Sequence, residues 1–167
     1  MRTKLDFIIR GGVVKRFHTI HTLHTQNVAE HSFGVAWLCY LLCNGVPTRD
    51  LLVAALSHDI AEHTTGDIPA PAKRRLGISQ RFDKYEMESY YGAGFEMQRL
   101  DAGESRTLKM ADTADLLLFC IRELRLGNSD MEEVYQRGLS YITELEPLSS
   151  TEKELIHYIG EEHDKCK

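Results

Sequence analysis

Apolar residues recur at helical spacing along most of this 167-residue chain, whereas the alternation of Val, Ile and Thr that is typical of strands is nearly absent. Such a period predicts α-helices. We expect them at about residues 27–44, 49–64, 70–76, 79–99, 104–126, 129–145 and 149–164. Asn44-Gly45 and Gly127-Asn128 are typical helix stops. The chain is therefore predicted to be all-α, a helical bundle.

Length, charge and cysteine content narrow the class of protein. Residues 1–167 fit a single domain with one sizeable core. No apolar stretch approaches the ~20 residues that cross a bilayer, and the start MRTKLDFIIRGG lacks an export signal, so we expect a cytoplasmic protein with no membrane partner. A formal net charge of −5 argues against a polymeric nucleic acid as partner. The cysteines form no CxxC motif, and we expect core thiols at Cys39, Cys43 and Cys120.

An adjacent imidazole and carboxylate, His58 and Asp59, stand inside the apolar run LLVAALSHDIAEHTTGD. On a helix they would point about 100° apart, so both cannot occupy an ordinary solvated face. His31 in QNVAEHSFGVAWL and Asp112 in LKMADTADLLLF are also polar residues in amphipathic or apolar helical patterns. Two imidazoles and two carboxylates suit one divalent cation such as Mn, Co, Fe, Ni or Zn, with positions left for water and substrate. The combination predicts a catalytic metal site.

Each histidine also has an ordinary structural explanation. A lone His on an apolar face is more often a satisfied core residue, and Asp112 alone could pair with Lys109. His63 should face away from the ligand set. The segment RFHTIHTLHT fits one helical face or an extended loop equally well, and we do not assign a metal to its histidines, His18, His21 and His24. The terminal helix is charged, and we expect solvated side chains there at His157, His163 and Cys166.

Glu62 lies four residues after His58 and three after Asp59, so we expect its carboxylate over the same face as the ligands. There it could serve general acid/base work or orient a water molecule, although an isolated surface Glu usually pairs with cations.

Cations accompany the metal-binding segments in this acidic chain, at Arg16, Lys73 and Lys109. They indicate an anionic substrate such as a phosphate ester, although the KRR run at 73–75 is also typical of a solvated face. Phe17, next to Arg16, could stack against a base or sugar or could lie in the core.

The pattern H…HD…D, here His31, His58-Asp59 and Asp112, resembles the signature of the HD phosphohydrolase superfamily from about residue 16 to residue 127. More narrowly, RF-x(8)-QNVAEHS, HDIAEHTTGDIPAPAK and LKMADTADLL resemble the 5'-deoxynucleotidase branch, which includes compact phage dATP triphosphohydrolases. The resemblance implies a single HD-domain helical bundle and one divalent metal ion, which could be Co, Mn, Zn, Fe, Ni or Mg. It also implies a homo-oligomer, either a dimer or a larger ring.

The same resemblance implies roles for individual residues. The metal ligands would be His31, His58, Asp59 and Asp112. Glu62 would assist the water or substrate, and Asp67 would act as the acid or orient the nucleophile near the scissile phosphate. Arg16 would hold phosphate, and Phe17 stands where bacterial enzymes have a tryptophan. In the phage type, Lys73 and Lys109 would also bind a longer phosphate chain. The base pocket would be formed by residues 17–20 and Gln26.

The implied reaction is attack of water, activated by the metal, on the α-phosphorus of a 2'-deoxyribonucleotide, with release of the deoxynucleoside. The substrate would be a range of dNMPs or dATP, and the sequence leaves both open because the metal ligands are the same. Two alternatives remain. A phosphodiesterase or (p)ppGpp-type hydrolase of the wider superfamily would keep the ligands but would not predict the GDIPAPAK loop. A non-catalytic nucleotide-sensing scaffold would normally have lost one of these residues.

Overall fold

The computed structural model describes residues 1–166, which contain eight α-helices and no β-strand. This confirms the all-α prediction. The α-helices are α1 Arg2–Gly12, α2 Val28–Leu42, α3 Arg49–Ser57, α4 Ala70–Arg75, α5 Ser79–Gly92, α6 Ala102–Arg125, α7 Glu132–Thr143 and α8 Ser150–Asp164. Two short 3-10 helices cover Ile60–Thr64 and Ser129–Met131. Within residues 1–166, no helix is both long and apolar enough to span a membrane.

Four of the helices begin at side chains that accept a backbone N–H hydrogen bond of the first turn. These N-caps are Asn27 for α2, Thr48 for α3, Asp101 for α6 and Ser149 for α8. In three of them a glutamate of the first turn bonds back to the cap, as a capping box requires. The caps satisfy N–H groups that the helix itself leaves unpaired, which fixes where each helix starts.

The long helix α6 runs through the core and packs against α2, α3, α7 and α8. Its buried residues include Leu117 and Cys120, which pack in one cluster with Val35 and Cys39 of α2. The expected core thiols are present at Cys39 and Cys120, where burial raises the pKa to about 12, and Cys43 is half-buried. All four cysteines are free. A central α6 therefore sets the positions of the helices that carry the polar residues of interest.

Helix α1 was not predicted from the sequence. It joins a second, smaller apolar cluster in which Phe7 contacts Ile60 and Tyr90. A side chain at Gly11 would overlap the backbone of Ile60, so the glycine lets α1 lie directly on the 3-10 helix Ile60–Thr64. The contact fixes the segment that follows α3.

Two predicted helices are shorter than expected. The helix expected at 49–64 ends at Ser57, and His58 and Asp59 lie in the turn before a 3-10 helix. At this point the side chains of Ser57 and His58 bond to backbone carbonyls of the preceding turn, of Val53 and Ala55. The helix expected at 79–99 ends at Gly92, because the chain turns through Gly94 at a φ of 84°.

The prediction for His163 was wrong. It is buried, its ring stacks on Tyr135 at 3.9 Å, and its Nε2 lies 2.9 Å from the carboxylate of Glu132. The charged residues around it in the sequence occupy the other faces of α8. The charged composition of the segment therefore gave no sign that one face of the helix is buried. His157 is exposed as expected, and Cys166 is half-buried.

Glu152 makes the stability of the fold depend on pH. This buried carboxylate accepts hydrogen bonds from the Ser149 backbone N–H and from Arg106 of α6. Burial alone would raise the pKa of Glu152, but these bonds hold it below the ordinary value of 4.5. The stabilisation is therefore present above about pH 4.5 and is lost as the pH falls through the lower folded-state pKa.

We expect the urea-derived free energy of unfolding to fall more steeply between about pH 6 and pH 3 in the wild type than in Glu152→Gln, which has no charge to lose. Equal slopes in the two proteins would contradict this account of Glu152.

Candidate metal centre

Three elements bring together the side chains that the sequence singled out as ligands. His31 comes from α2, His58 from the turn after α3 and Asp112 from α6. Nε2 of His31 lies 3.2 Å from Nε2 of His58 and 3.1 Å from Oδ1 of Asp112. One ligand atom from each of the three lies within 4.8 Å of the others. The three atoms could bind one cation together.

The two imidazoles are held in the tautomer that a metal needs. Nδ1 of His31 lies 2.6 Å from Oδ2 of Asp115, and Nδ1 of His58 lies 2.9 Å from the carbonyl oxygen of Ala55. An acceptor at each Nδ1 places a proton there, so Nε2 is the nitrogen of each ring that is available for a metal ion or a second proton. Two lone pairs facing each other at 3.2 Å repel unless a cation or a proton lies between them. The donor set thus fits a divalent metal ion.

Asp59 completes the set at slightly longer range. Its Oδ2 lies 3.4 Å from Nε2 of His58 and 3.6 Å from Nε2 of His31. The same oxygen accepts a hydrogen bond from Nη1 of Arg16 at 2.7 Å. Arg16, predicted from the sequence to bind phosphate, therefore lies beside the metal-binding atoms.

The electrostatics of the centre favour positive charge between these groups. Desolvation opposes the charged form of His31, yet its hydrogen bonds to Asp112 and Asp115 raise the pKa to about 9. Desolvation also opposes ionisation of Asp112, but His31, His58 and Arg16 lower its pKa to about 2. The surrounding carboxylates would favour a metal cation for the same reason that they favour a proton on His31.

Asp115 was missed by the sequence analysis. It stands three residues after Asp112, on the same face of α6, and this spacing was the available signal. Its carboxylate orients His31, as in the carboxylate–histidine–metal arrangement of many metal sites. Gly34 makes room for it, because a Cβ at position 34 would overlap the Asp115 carboxylate.

Gly34→Ala is therefore expected to push Asp115 away from His31 and to weaken metal binding by about 10–100-fold. Titration of the purified protein with Mn²⁺ or Zn²⁺ by calorimetry measures this. Gly160→Ala is the matched control, because Gly160 is also inside a helix but has open space where its Cβ would lie. Unchanged metal affinity in Gly34→Ala would contradict the role of Asp115.

Glu62 is buried next to the centre, at 5% exposure, and its Oε2 has no hydrogen-bond partner. Burial, with the charges of Asp59 and Asp67, raises its pKa to about 9 against the opposing charges of Arg16 and Lys73. Asp67 accepts a hydrogen bond from the backbone N–H of Phe17 at 3.2 Å. Both carboxylates predicted to be catalytic thus lie around Arg16 and the ligands, and Glu62 has one oxygen available for a further group.

Phe17 and Gln26 are held against α6. Phe17 has a φ of 57° and stacks on Phe119 with ring centroids 4.7 Å apart, while Nε2 of Gln26 donates to Asp115 at 3.0 Å. A cavity of about 370 Å³ is lined by Gln26, Asp115, Phe119 and Arg122, among others. Arg122 is exposed at its edge and was missed by the sequence analysis, which had no reason to prefer it over other surface arginines.

The lysines predicted to bind phosphate lie in different settings. Nζ of Lys73 is 3.3 Å from Oε1 of Glu86 and lies over the ring of Phe82. Lys109 is exposed on α6, one turn before Asp112.

The histidines that were left out of the ligand set also lie elsewhere. His63 bonds through Nδ1 to the Ile60 carbonyl and packs edge-on against Phe7. The other three lie between α1 and α2 outside any helix, so the loop interpretation is correct for His18, His21 and His24.

A family model described as "5'-deoxynucleotidase YfbR-like" matches residues 5–159 of this chain. Among curated proteins, the chain is 30% identical to a dATP triphosphohydrolase of Salmonella phage PMBT28, over 84% of this chain and 79% of that protein. It is 24% identical to a 5'-deoxynucleotidase of Photobacterium profundum, over 78% of this chain and 79% of that protein.

Solved structures share the fold. The HD phosphohydrolase of cyanophage S-2L, bound to dA and one catalytic Zn²⁺ ion, superposes with a TM-score of 0.75 at 23% identity, covering 96% of each chain. A protein of Pyrococcus horikoshii superposes with a TM-score of 0.74 at 24% identity, covering 97% of this chain and 99% of that one. These structures therefore share the overall helical fold of this chain.

Proposed function

Because the chain belongs to the YfbR-like 5'-deoxynucleotidase family, we propose that it is a divalent-metal-dependent phosphohydrolase that removes the 5'-phosphate group of 2'-deoxyribonucleotides. The observation that carries the proposal is the meeting of two imidazole Nε2 atoms and Asp112 beside the unpartnered carboxylate oxygen of Glu62. A sensor or scaffold would not need a buried acid/base group next to the metal-binding atoms.

His31, His58, Asp59 and Asp112 would hold one divalent ion, and this mixed N/O set suits Zn, Mn, Co, Fe or Ni. When bound, the ion would lower the pKa of a coordinated water and polarise a phosphoryl oxygen. The relative from cyanophage S-2L has one catalytic Zn²⁺ ion, which supports a single-metal site here.

The chain's own residues would bind and orient the substrate. Arg16 would exchange its contact with Asp59 for one with the phosphate, neutralising charge that develops there. With the ion bound, its positive charge would lower the pKa of Glu62, and the ionised carboxylate would accept the proton of the attacking water through its unpartnered Oε2. Asp67, fixed by the Phe17 backbone N–H, would deliver or orient the proton needed by the leaving 5'-oxygen.

Deoxynucleoside monophosphates and dATP remain the two candidate substrate classes, because attack of water on the α-phosphorus would release the deoxynucleoside from either one. The phage relative, which is 30% identical to this chain, supports dATP, and the Photobacterium deoxynucleotidase, which is 24% identical, supports monophosphates. A triphosphate would extend toward Lys73, which could leave Glu86 for a phosphate oxygen. The cavity beside Gln26 and Phe119 would take the base.

The test is product analysis with a panel of dNMPs, dNTPs and their ribose counterparts, with Mn²⁺, Co²⁺, Zn²⁺ or Mg²⁺ present. Deoxynucleoside and orthophosphate from several dNMPs would identify a general 5'-deoxynucleotidase. Selective conversion of dATP to deoxyadenosine and triphosphate would identify the phage type. Absence of turnover with every substrate and metal would overturn the proposal.

We also propose that the chain forms homo-oligomers. One face of α2 exposes Phe33, Trp37, Tyr40 and Leu41. The Trp37 ring contacts the rings of Phe33 and Tyr40 edge to face. A continuous apolar stripe of this kind is typical of a contact surface, and an isologous dimer would bury it against its own copy.

We expect the purified protein to sediment as a dimer or a larger species, and Trp37→Asp to sediment as a monomer. Val46→Asp is the control, because Val46 is equally apolar and more exposed but outside the α2 face. A monomeric wild type would contradict the assignment of this surface.

Four free cysteines also support a reducing, cytoplasmic location, which we propose on that basis.

A further inference from the structure

The segment between α1 and α2 is a closed loop. The backbone N–H of Arg16 donates to the carbonyl oxygen of Gln26 at 2.9 Å, and Lys15 pairs with Asn27 in an isolated antiparallel bridge. The two ends of residues 16–26 therefore meet at one point, as in compact surface loops whose own contacts hold them together. We call these residues the substrate loop.

Both ends of the substrate loop belong to the candidate centre. Arg16 bonds to Asp59, the Phe17 N–H bonds to Asp67, and Gln26 bonds to Asp115. A shift of the loop would therefore move the phosphate-binding arginine and the base-pocket residues together. The proposed ligands of the metal lie outside the loop, on α2, on α6 and after α3.

The tip of the substrate loop is fixed to a different part of the protein. The backbone N–H groups of Leu23 and His24 donate to the two carboxylate oxygens of Glu123 at 2.6 and 2.8 Å. Nδ2 of Asn128 donates to Glu123 at 2.8 Å and to the carbonyl oxygen of His21 at 2.9 Å. Glu123 is fully buried at 0% exposure, although it lies about 100 residues from the loop in sequence.

The contacts to the loop follow one row of α6. Asp115, Phe119 and Glu123 are spaced four residues apart, so they lie on one face of the helix. They contact Gln26, Phe17 and the loop tip in that order. Along α6, Glu123 lies about 16 Å from Asp112, at 1.5 Å per residue, so it does not reach the metal-binding atoms.

We propose that Glu123, supported by Asn128, is a positioning residue for deoxynucleotide hydrolysis, which acts by holding the substrate loop so that Arg16, Phe17 and Gln26 meet the substrate. The inference rests on the proposed function. Glu123 contacts neither substrate nor metal, and its effect is transmitted through the backbone of residues 21–24.

The variant Glu123→Gln tests this positioning role. Each carboxylate oxygen of Glu123 accepts a backbone N–H, whereas a glutamine would place its own NH2 group against one of those two N–H groups and lose that hydrogen bond. With the preferred deoxynucleotide, we expect KM to rise about tenfold or more with a smaller change in kcat, because misplaced binding groups weaken substrate binding. Metal affinity should stay unchanged. Hydrogen exchange of residues 17–25 should become faster while that of α2 and α6 does not.

Glu152→Gln is the matched control. Glu152 is also a buried glutamate that accepts a backbone N–H and a side-chain donor, but it holds the start of α8 instead of the substrate loop. The Glu152→Gln variant should lose stability with KM unchanged.

If Glu123→Gln does not fold, Asn128→Ala removes the bonds to His21 and Glu123 and should show the same pattern to a smaller extent.

Unchanged KM and loop exchange in a folded Glu123→Gln or Asn128→Ala protein would overturn the inference, as would an equal KM increase in Glu152→Gln. If the wild type hydrolyses no deoxynucleotide, the proposed function fails. The positioning role then fails with it, whereas faster loop exchange in the variants would still show that Glu123 holds the loop.

Discussion

Asp59→Ala is expected to abolish both metal binding and hydrolysis. The substitution removes one of the two carboxylates among the proposed ligands and releases Arg16 from its 2.7 Å contact. A metal ion that acts as a Lewis acid contributes several kcal/mol to the transition state, and about 4 kcal/mol corresponds to about a thousand-fold in rate. We therefore expect turnover to fall at least about a thousand-fold. Metal content by elemental analysis and product release on the same sample measure the two effects.

Asp50→Ala is the control for this experiment, since Asp50 is a half-exposed aspartate of the neighbouring helix α3 that pairs with Arg49. It should retain full metal content and full turnover. If Asp59→Ala binds metal stoichiometrically and turns over at the wild-type rate, the assignment of the centre is wrong.

Glu62→Ala is expected to separate metal binding from catalysis. Its carboxylate is not among the ligand atoms that meet at the centre, so the variant should bind the metal as the wild type does. Loss of a general acid/base group lowers kcat by about 100-fold or more. Glu62→Gln keeps the size of the side chain and should be equally slow, because an amide cannot accept and release a proton as the carboxylate does.

Single-turnover rates with saturating substrate, alongside a metal titration, test this prediction. Glu88→Ala on α5 is a suitable control, since Glu88 is exposed and pairs only loosely with Lys84 at 3.8 Å. Normal turnover in Glu62→Ala would remove Glu62 from the mechanism, and loss of the metal would make it a ligand instead.

Local sequence was sufficient for most of the fold. Helical period and the helix stops Asn44-Gly45 and Gly127-Asn128 predicted helices close to the observed α2 and α6, because stop signals and apolar periodicity act within a few residues. The prediction failed where tertiary contacts determine whether a helix forms and where it ends. Helix α1 is stabilised by packing on the 3-10 helix, and α3 ends early at Ser57.

The candidate centre shows the same division between what local sequence predicts and what tertiary contacts determine. Polar residues in apolar helices are conspicuous in a sequence because burial of an uncompensated charge is costly, so His31, His58, Asp59 and Asp112 could be predicted as ligands from the residues alone. Asp115 and Glu123 were missed because a carboxylate on a helix usually has a solvated face to occupy. His163 was misjudged for the same reason, because a polar residue in a charged helix was expected to face solvent.

The sequence by itself thus predicted the all-α class and the principal helices, and it identified the candidate metal ligands. Only the tertiary structure decided which tautomer each imidazole takes, how Arg16 meets Asp59, and that Glu123 holds a loop about 100 residues away. The reason is physical: propensity, capping and the cost of buried charge are local and appear in the residue pattern. The partner that satisfies a buried polar group is chosen by the packing of distant helices, and the pattern does not specify it.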